Sequence, residues 1–275
     1  MKIIFCLLLL TTSALAQDPN TYLKNFDSKI YSLKSKGVTD FVVDIESSQI
    51  TKQLNEQQLF GKVEEVVFRT YWTAKPERLA IEVIGLPEGF REVKEELKMS
   101  VLGIMDNLIP MTMAQRFNGY KFSAGKAQRE FIANDTTGIA PIPSFILKFN
   151  EQDMLLEVDA VKNIGSMVIK SEYKKESFAD GKWVLDEQKT ITSEQGQTLV
   201  VTKDLDYDKT QGIGVLTEVE IETEHKISAP ESKTVKSSEK ITFKNYKINS
   251  GDALKYFLGE SKSAPVAPAQ APKQE

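Results

Sequence analysis

Between residues 166 and 248 the chain offers a helix almost nowhere to form. Segments 166–178, 182–193, 197–207, 215–227 and 235–248 follow one another with only short polar breaks, and each reads as a strand. The clearest is the run from Glu218 to Lys226. Glu218, Glu220, Glu222 and Glu224 fall on one face, and Val219, Ile221 and Thr223 on the other. Asp180-Gly181 joins the first two segments and supplies the positive φ angles that a tight hairpin needs. Several segments run to about a dozen residues, which at about 3.3 Å per residue gives strands of about 40 Å. Long strands linked by short turns must pair antiparallel.

The rest of the chain extends this series. Residues 39–50 alternate, with Phe41, Val43 and Ile45 opposite Asp44 and Glu46; 62–73 and 78–85 follow as two more strands across the turn Ala74-Lys75-Pro76-Glu77. Residues 145–149 (FILKF) and 154–158 (MLLEV) flank a polar hairpin at 150–153. Two stretches keep helical spacing instead. Tyr22, Leu23, Phe26, Ile30 and Leu33 form one face of a helix ending at Gly37; Val93, Leu97, Val101, Ile104, Met105 and Leu108 form another, broken or kinked at Pro110. These elements give a mainly β fold: a strongly curved antiparallel sheet, a half-open β barrel, of about ten strands with a helical lid. The helices are the only cover for its concave face.

The ends carry signals of their own. Lys2, the apolar run 3–10 and Ala14-Leu15-Ala16 spell a secretory signal peptide, with cleavage expected after Ala16. The apolar run is too short for a membrane span of about 20 residues. Cys6, the only cysteine, belongs to that run, so no disulfide or lipidated cysteine is expected after cleavage. Residues 17–260 then form one domain, and 261–275, rich in Pro and Ala, form a disordered tail. The expected location is the periplasm, in soluble form and without a transmembrane anchor. The formal net charge is −4, and about −5 once Lys2 leaves with the leader; both signs are interspersed, which gives nucleic acid no basic surface.

The residues argue against an enzyme. His225 is the only histidine, at a strand end and without a GxSxG serine, so a histidine triad has little support, and zinc lacks its usual ligands. Asp204, Asp206 and Asp208 have the spacing of a calcium loop, but Lys209 and Val215 occupy the positions that need Gly and Glu. No metal site or other cofactor is expected. A glycosidase-like carboxylate pair cannot be picked from 39 acidic residues.

What remains points to binding. Met99, Met105, Met111 and Met113 cluster in or beside the second helical stretch, where flexible thioethers suit an apolar ligand of variable shape; core packing is the plainer reading of each. Residues 66–83 (VVFRTYWTAKPERLAIEV) bring an aromatic strand end, Tyr71 and Trp72, to Lys75, Pro76 and Arg78. This pattern and the order of elements resemble the LolA/LolB-like family of periplasmic lipoprotein carriers. Family carriers often place arginine just before the proline, where this chain has Lys75.

The resemblance implies a half-open barrel closed by a helical lid, with lipid or lipoprotein acyl chains as cargo and membrane-bound donor and acceptor proteins as partners. The expected apolar walls are Val67, Tyr71, Leu79, Ile81 and Val83 from the strands and Leu97, Val101, Met105, Leu108 and Met111 from the lid, with Lys75 and Arg78 at its rim. A register slip of one residue would exchange Val67 and Tyr71 for Val66, Phe68 and Trp72. The rival reading is a non-catalytic envelope protein whose filled core leaves a sheet edge or the tail to dock a partner.

Overall fold

A computed structural model describes residues 18–57, 61–162, 164–228 and 232–260. The expected signal peptide and the 261–275 tail lie outside the described residues. The chain builds one antiparallel sheet from β1 (Asp40–Ser47), β2 (Val67–Ala74), β3 (Glu77–Ile84), β4 (Tyr120–Ala124), β5 (Glu130–Asp135), β6 (Ser144–Phe149), β7 (Leu155–Val161), β8 (Ser166–Lys175), β9 (Trp183–Glu194), β10 (Gln197–Thr210), β11 (Ile213–Ile227) and β12 (Lys233–Ile248). The order is β3-β2-β1-β12-β11-β10-β9-β8-β7-β6-β5-β4. The mainly β expectation holds, with twelve strands in place of about ten. The two extra are β4 and β5, whose short runs do not stand apart in the sequence.

Local chemistry sets the joints. Asp180 and Gly181 take φ of 50° and 77° in the β8–β9 turn, as the Asp-Gly pair requires. Asn150 caps the β6–β7 turn: its side-chain oxygen accepts from the Gln152 and Met154 amides at 2.8 and 3.0 Å. In β12, Asn245 at φ 55° lies at a register shift against β1, so the strand continues past an irregularity.

Among the described residues five α-helices accompany the sheet: α1 (Pro19–Lys29), α2 (Ser48–Gln57), α3 (Arg91–Leu108), α4 (Met113–Arg116) and α5 (Asp252–Phe257). Asp18 caps α1 by accepting from the Asn20 amide at 3.1 Å, and Pro19 suits its first turn. The first helix is shorter than its spacing predicts. Lys29 ends it, and Leu33–Lys36 is a separate 3-10 turn stopped by Gly37 at φ 75°. Pro110 separates α3 from α4, as expected. The helix α2 corrects the strand expected to run on to residue 50; only Ile50 and Leu54 mark its apolar face, too few for a visible period.

The register gives the sheet two distinguishable faces. Phe41, Val43 and Ile45 pair with Trp72, Thr70 and Phe68, which pair in turn with Leu79, Ile81 and Val83. This face meets α3. Its cluster draws Val101, Ile104, Met105 and Leu108 onto Ile45, Phe68, Ile81 and Val83, and continues to Val219 and Ile241. Farther along the same face, α1 and α4 cover β4 to β7 with Tyr22, Phe26, Met113 and Phe117 on Phe131, Leu147 and Phe149. The opposite face is covered at β1 and β2 by α5, where Val42, Tyr71 and Ala253 are buried together. Connecting β3 to β4 takes the chain from one edge of the sheet to the other, by way of α3 and α4.

Candidate functional site: an apolar cavity under α3

The cavity follows from side-chain size. Where α3 crosses the long strands, Ser100 and Gly103 present small groups, and a Cβ built on Gly103 would have no heavy atom within 4 Å. A volume of about 360 Å³ is left between α3, α2 and the sheet. Its walls are aliphatic: Ile45 from β1, Ile50 from α2, Val101 and Ile104 from α3, and Val201, Ile221 and Ile241 from β10, β11 and β12. Ile45, Val101 and Ile241 are almost fully buried and form a packed floor, while Gln53, Ser100 and Gly103 are exposed where the space opens to solvent.

Six polar side chains share this lining: Ser47, Gln49, Gln53, Ser100, Lys203 and Glu239. Ser47, at the end of β1, donates its hydroxyl to Glu239 on β12 and accepts from the Ile50 amide at 3.1 Å, which ties α2 to the sheet. Lys203 sits on β10, directly opposite Ile221, and Ile221 sits opposite Glu239. One row across the sheet therefore reads cation, isoleucine, carboxylate. Burial pulls the Lys203 ammonium below its ordinary value, opposed by the Asp106 carboxylate on α3.

The expected wall is only partly here. Ile81 and Val83 are buried against α3 with Val101, Met105 and Leu108, Leu97 packs on that cluster, and Leu79, on the same strand face, is exposed; of the ten expected residues, Val101 lines the cavity under α3 and Leu108 a smaller one beside Tyr31 and Asn107. Val67 and Tyr71 lie on the opposite face, because Phe68, Thr70 and Trp72 point to α3. The one-residue slip is the observed register. Tyr71 stacks on Tyr256 of α5 with ring centroids 3.9 Å apart and donates to Glu82 at 2.9 Å. Burial, then the Glu82 bond, raises its phenol above the ordinary value.

The expected rim residues are also elsewhere. Arg78 holds its guanidinium 5.9 Å from the Phe257 ring on the α5 side, and Lys75 is exposed in the β2–β3 turn. The methionines divide: Met105 and Met113 are buried in different clusters, while Met99 and Met111 are exposed. Residues missed by the sequence reading are Lys203, Ile221, Glu239 and the α2 contacts. Their signal was the alternation of β10 and β11, which does place Lys203 and Ile221 on the faces observed.

His225 meets Gln197 at 3.1 Å across the β10–β11 pair, a structural contact. Among the described residues no group of three His, Cys, Asp or Glu side chains could hold a metal ion, and no helix is long and apolar enough to cross a membrane. Comparison with family models, with curated proteins and with solved structures finds no match to this chain.

Proposed function

We propose that this protein is a non-catalytic carrier or chaperone of the periplasm that holds an acyl chain, free or attached to a lipoprotein, between the sheet and α3. The sheet acts as a half-open barrel and α3 as its lid. The observation that carries this reading is the aliphatic cavity of about 360 Å³ under α3, at the small end of the range of about 300–1,000 Å³ typical of ligand sites. Each methylene drawn from water into such a site contributes about 0.8 kcal/mol, enough to hold a chain without any covalent step.

The rival is a packed interaction protein, favoured by the close packing of most of the expected wall residues around α3. Two measurements separate the readings. Native mass spectrometry of the full chain, purified without detergent, is expected to show a lipid adduct, and a fluorescent fatty acid is expected to bind the wild type but not Gly103→Phe. That variant places a ring in the cavity at ordinary helical backbone. A wild type that carries no adduct and takes up no probe would sink the carrier reading in favour of the packed one.

A further inference from the structure

The cavity holds one basic residue, Lys203, in a lining of isoleucine and valine that also carries Ser47, Gln49, Gln53, Ser100 and Glu239. Its position is enforced by the sheet. It alternates onto the covered face between Val201 and Leu205, so its stem runs along apolar surface and its ammonium reaches the space under α3. Among the described residues Lys203 has no hydrogen bond or ion pair, whereas nineteen ion pairs form elsewhere.

The neighbouring carboxylates are already committed. Asp106 bonds Arg116 at 3.4 Å, and Glu239 is two strands away, about 9–10 Å across the sheet, with Ser47 donating to it. Asp106 acts on Lys203 only through space, without an ion pair, so a partly buried cation here gains from any further negative charge brought to it.

We propose that Lys203 receives the anionic head group of a single-chain amphiphile whose tail lies along Ile221, Val101 and Ile104. This rests on the carrier reading and sharpens it. The volume suits one chain, and the charge asks for a carboxylate or phosphate on its end. The side of the cavity nearer Glu239 is left to the tail, since a head group placed there would meet like charge.

The test uses displacement of a fluorescent acyl probe from the full-length protein by palmitate, cetyl phosphate, cetyl alcohol and cetylamine. The wild type is expected to bind the two anions about tenfold more tightly than the alcohol, a difference of about 1.4 kcal/mol, and the amine least. Lys203→Met should bring the anions level with the alcohol, and Lys203→Arg should keep the preference. The order of palmitate against cetyl phosphate tells a fatty-acid cargo from a phosphate-headed one. Equal binding of all four ligands, unchanged in Lys203→Met, would overturn the head-group assignment and leave the cavity reading standing. No binding of any of them to the wild type would remove both.

Discussion

Under α3 the buried cluster mixes aliphatic residues, Ile45, Ile81, Val83, Val101, Ile104, Val219 and Ile241, with the rings of Phe41, Phe68, Trp72 and Phe243; under α1 and α4 the contacts are richer in rings, with Tyr22, Phe26, Phe117, Phe131 and Phe149. The rings interlock. Phe117 meets Phe145 edge-on at 5.3 Å and 82°, and Tyr22 touches Phe131 at 4.8 Å. Branched aliphatics beneath a helix carrying Ser100 and Gly103 leave space instead. The same sheet face thus has one half closed by interlocked rings and one half that keeps a cavity.

That contrast can be broken most directly at Phe149, which touches Tyr22, Phe26 and Phe131. Phe149→Ala is expected to lose about 3–5 kcal/mol by denaturant unfolding, because fixed rings cannot collapse into the hole. Ile104→Ala, which only enlarges an existing cavity, should lose about 2 kcal/mol, the low end for such a change. Equal losses at the two sites would mean the halves do not differ in packing.

Two substitutions sharpen the aliphatic side. Thr70 is fully buried between β1 and β3 with its hydroxyl unpaired, so Thr70→Val should gain about 1 kcal/mol in the same unfolding assay. Gly103→Ala removes a mid-helix glycine where a Cβ has room, and a gain of about 0.5–1 kcal/mol is expected. A loss at either site would place tighter packing there than the cavity implies.

The smallest effect belongs to the seam between the halves. Tyr31 donates to the Gly214 carbonyl at 2.8 Å and packs edge-on against Phe178 at 5.4 Å. Burial pushes its phenol up to about 12, from 10.0 when free. A raised value stabilises the fold fully below the free value, and that stabilisation is lost as pH rises from there toward the folded one. Tyr31→Phe should therefore lose less stability than the wild type across that window, in paired melts. Other buried tyrosines contribute to both curves alike, so parallel curves would remove the Tyr31 share.

Much of this organisation is legible in the residues, for physical reasons. Long alternating strands, the Asp180-Gly181 and Asn150 turns, and a helix broken at Pro110 all depend on local chemistry that the sequence displays directly. The cavity is harder to read. Three consecutive apolar residues, Val66, Val67 and Phe68, fit either register of β2, and only the tertiary choice between α3 and α5 as neighbours settles it. The helix α2 has two apolar anchors and no strong period. Without it, the lining gathered around Ile50 and Ser47 has no visible address. Lys203 and Glu239 lie 36 positions apart and come into one row, with Ile221 between them, only through the β10–β11–β12 pairings.

The strand order also has a consequence in time. β1 is flanked by β2 and by β12, so one of its two edges stays open until a strand about 200 residues further along the chain arrives. The β1–β3 meander can pair locally, but it joins the rest of the sheet only through β12, across nearly the whole described chain. Such long-range closure makes folding slow and gives it a late, decisive step. Without β12 the strand order falls into two sheets, β3-β2-β1 and β11 to β4, each with a bare inner edge, and β12, the last of the described strands in the chain, is the one that joins them.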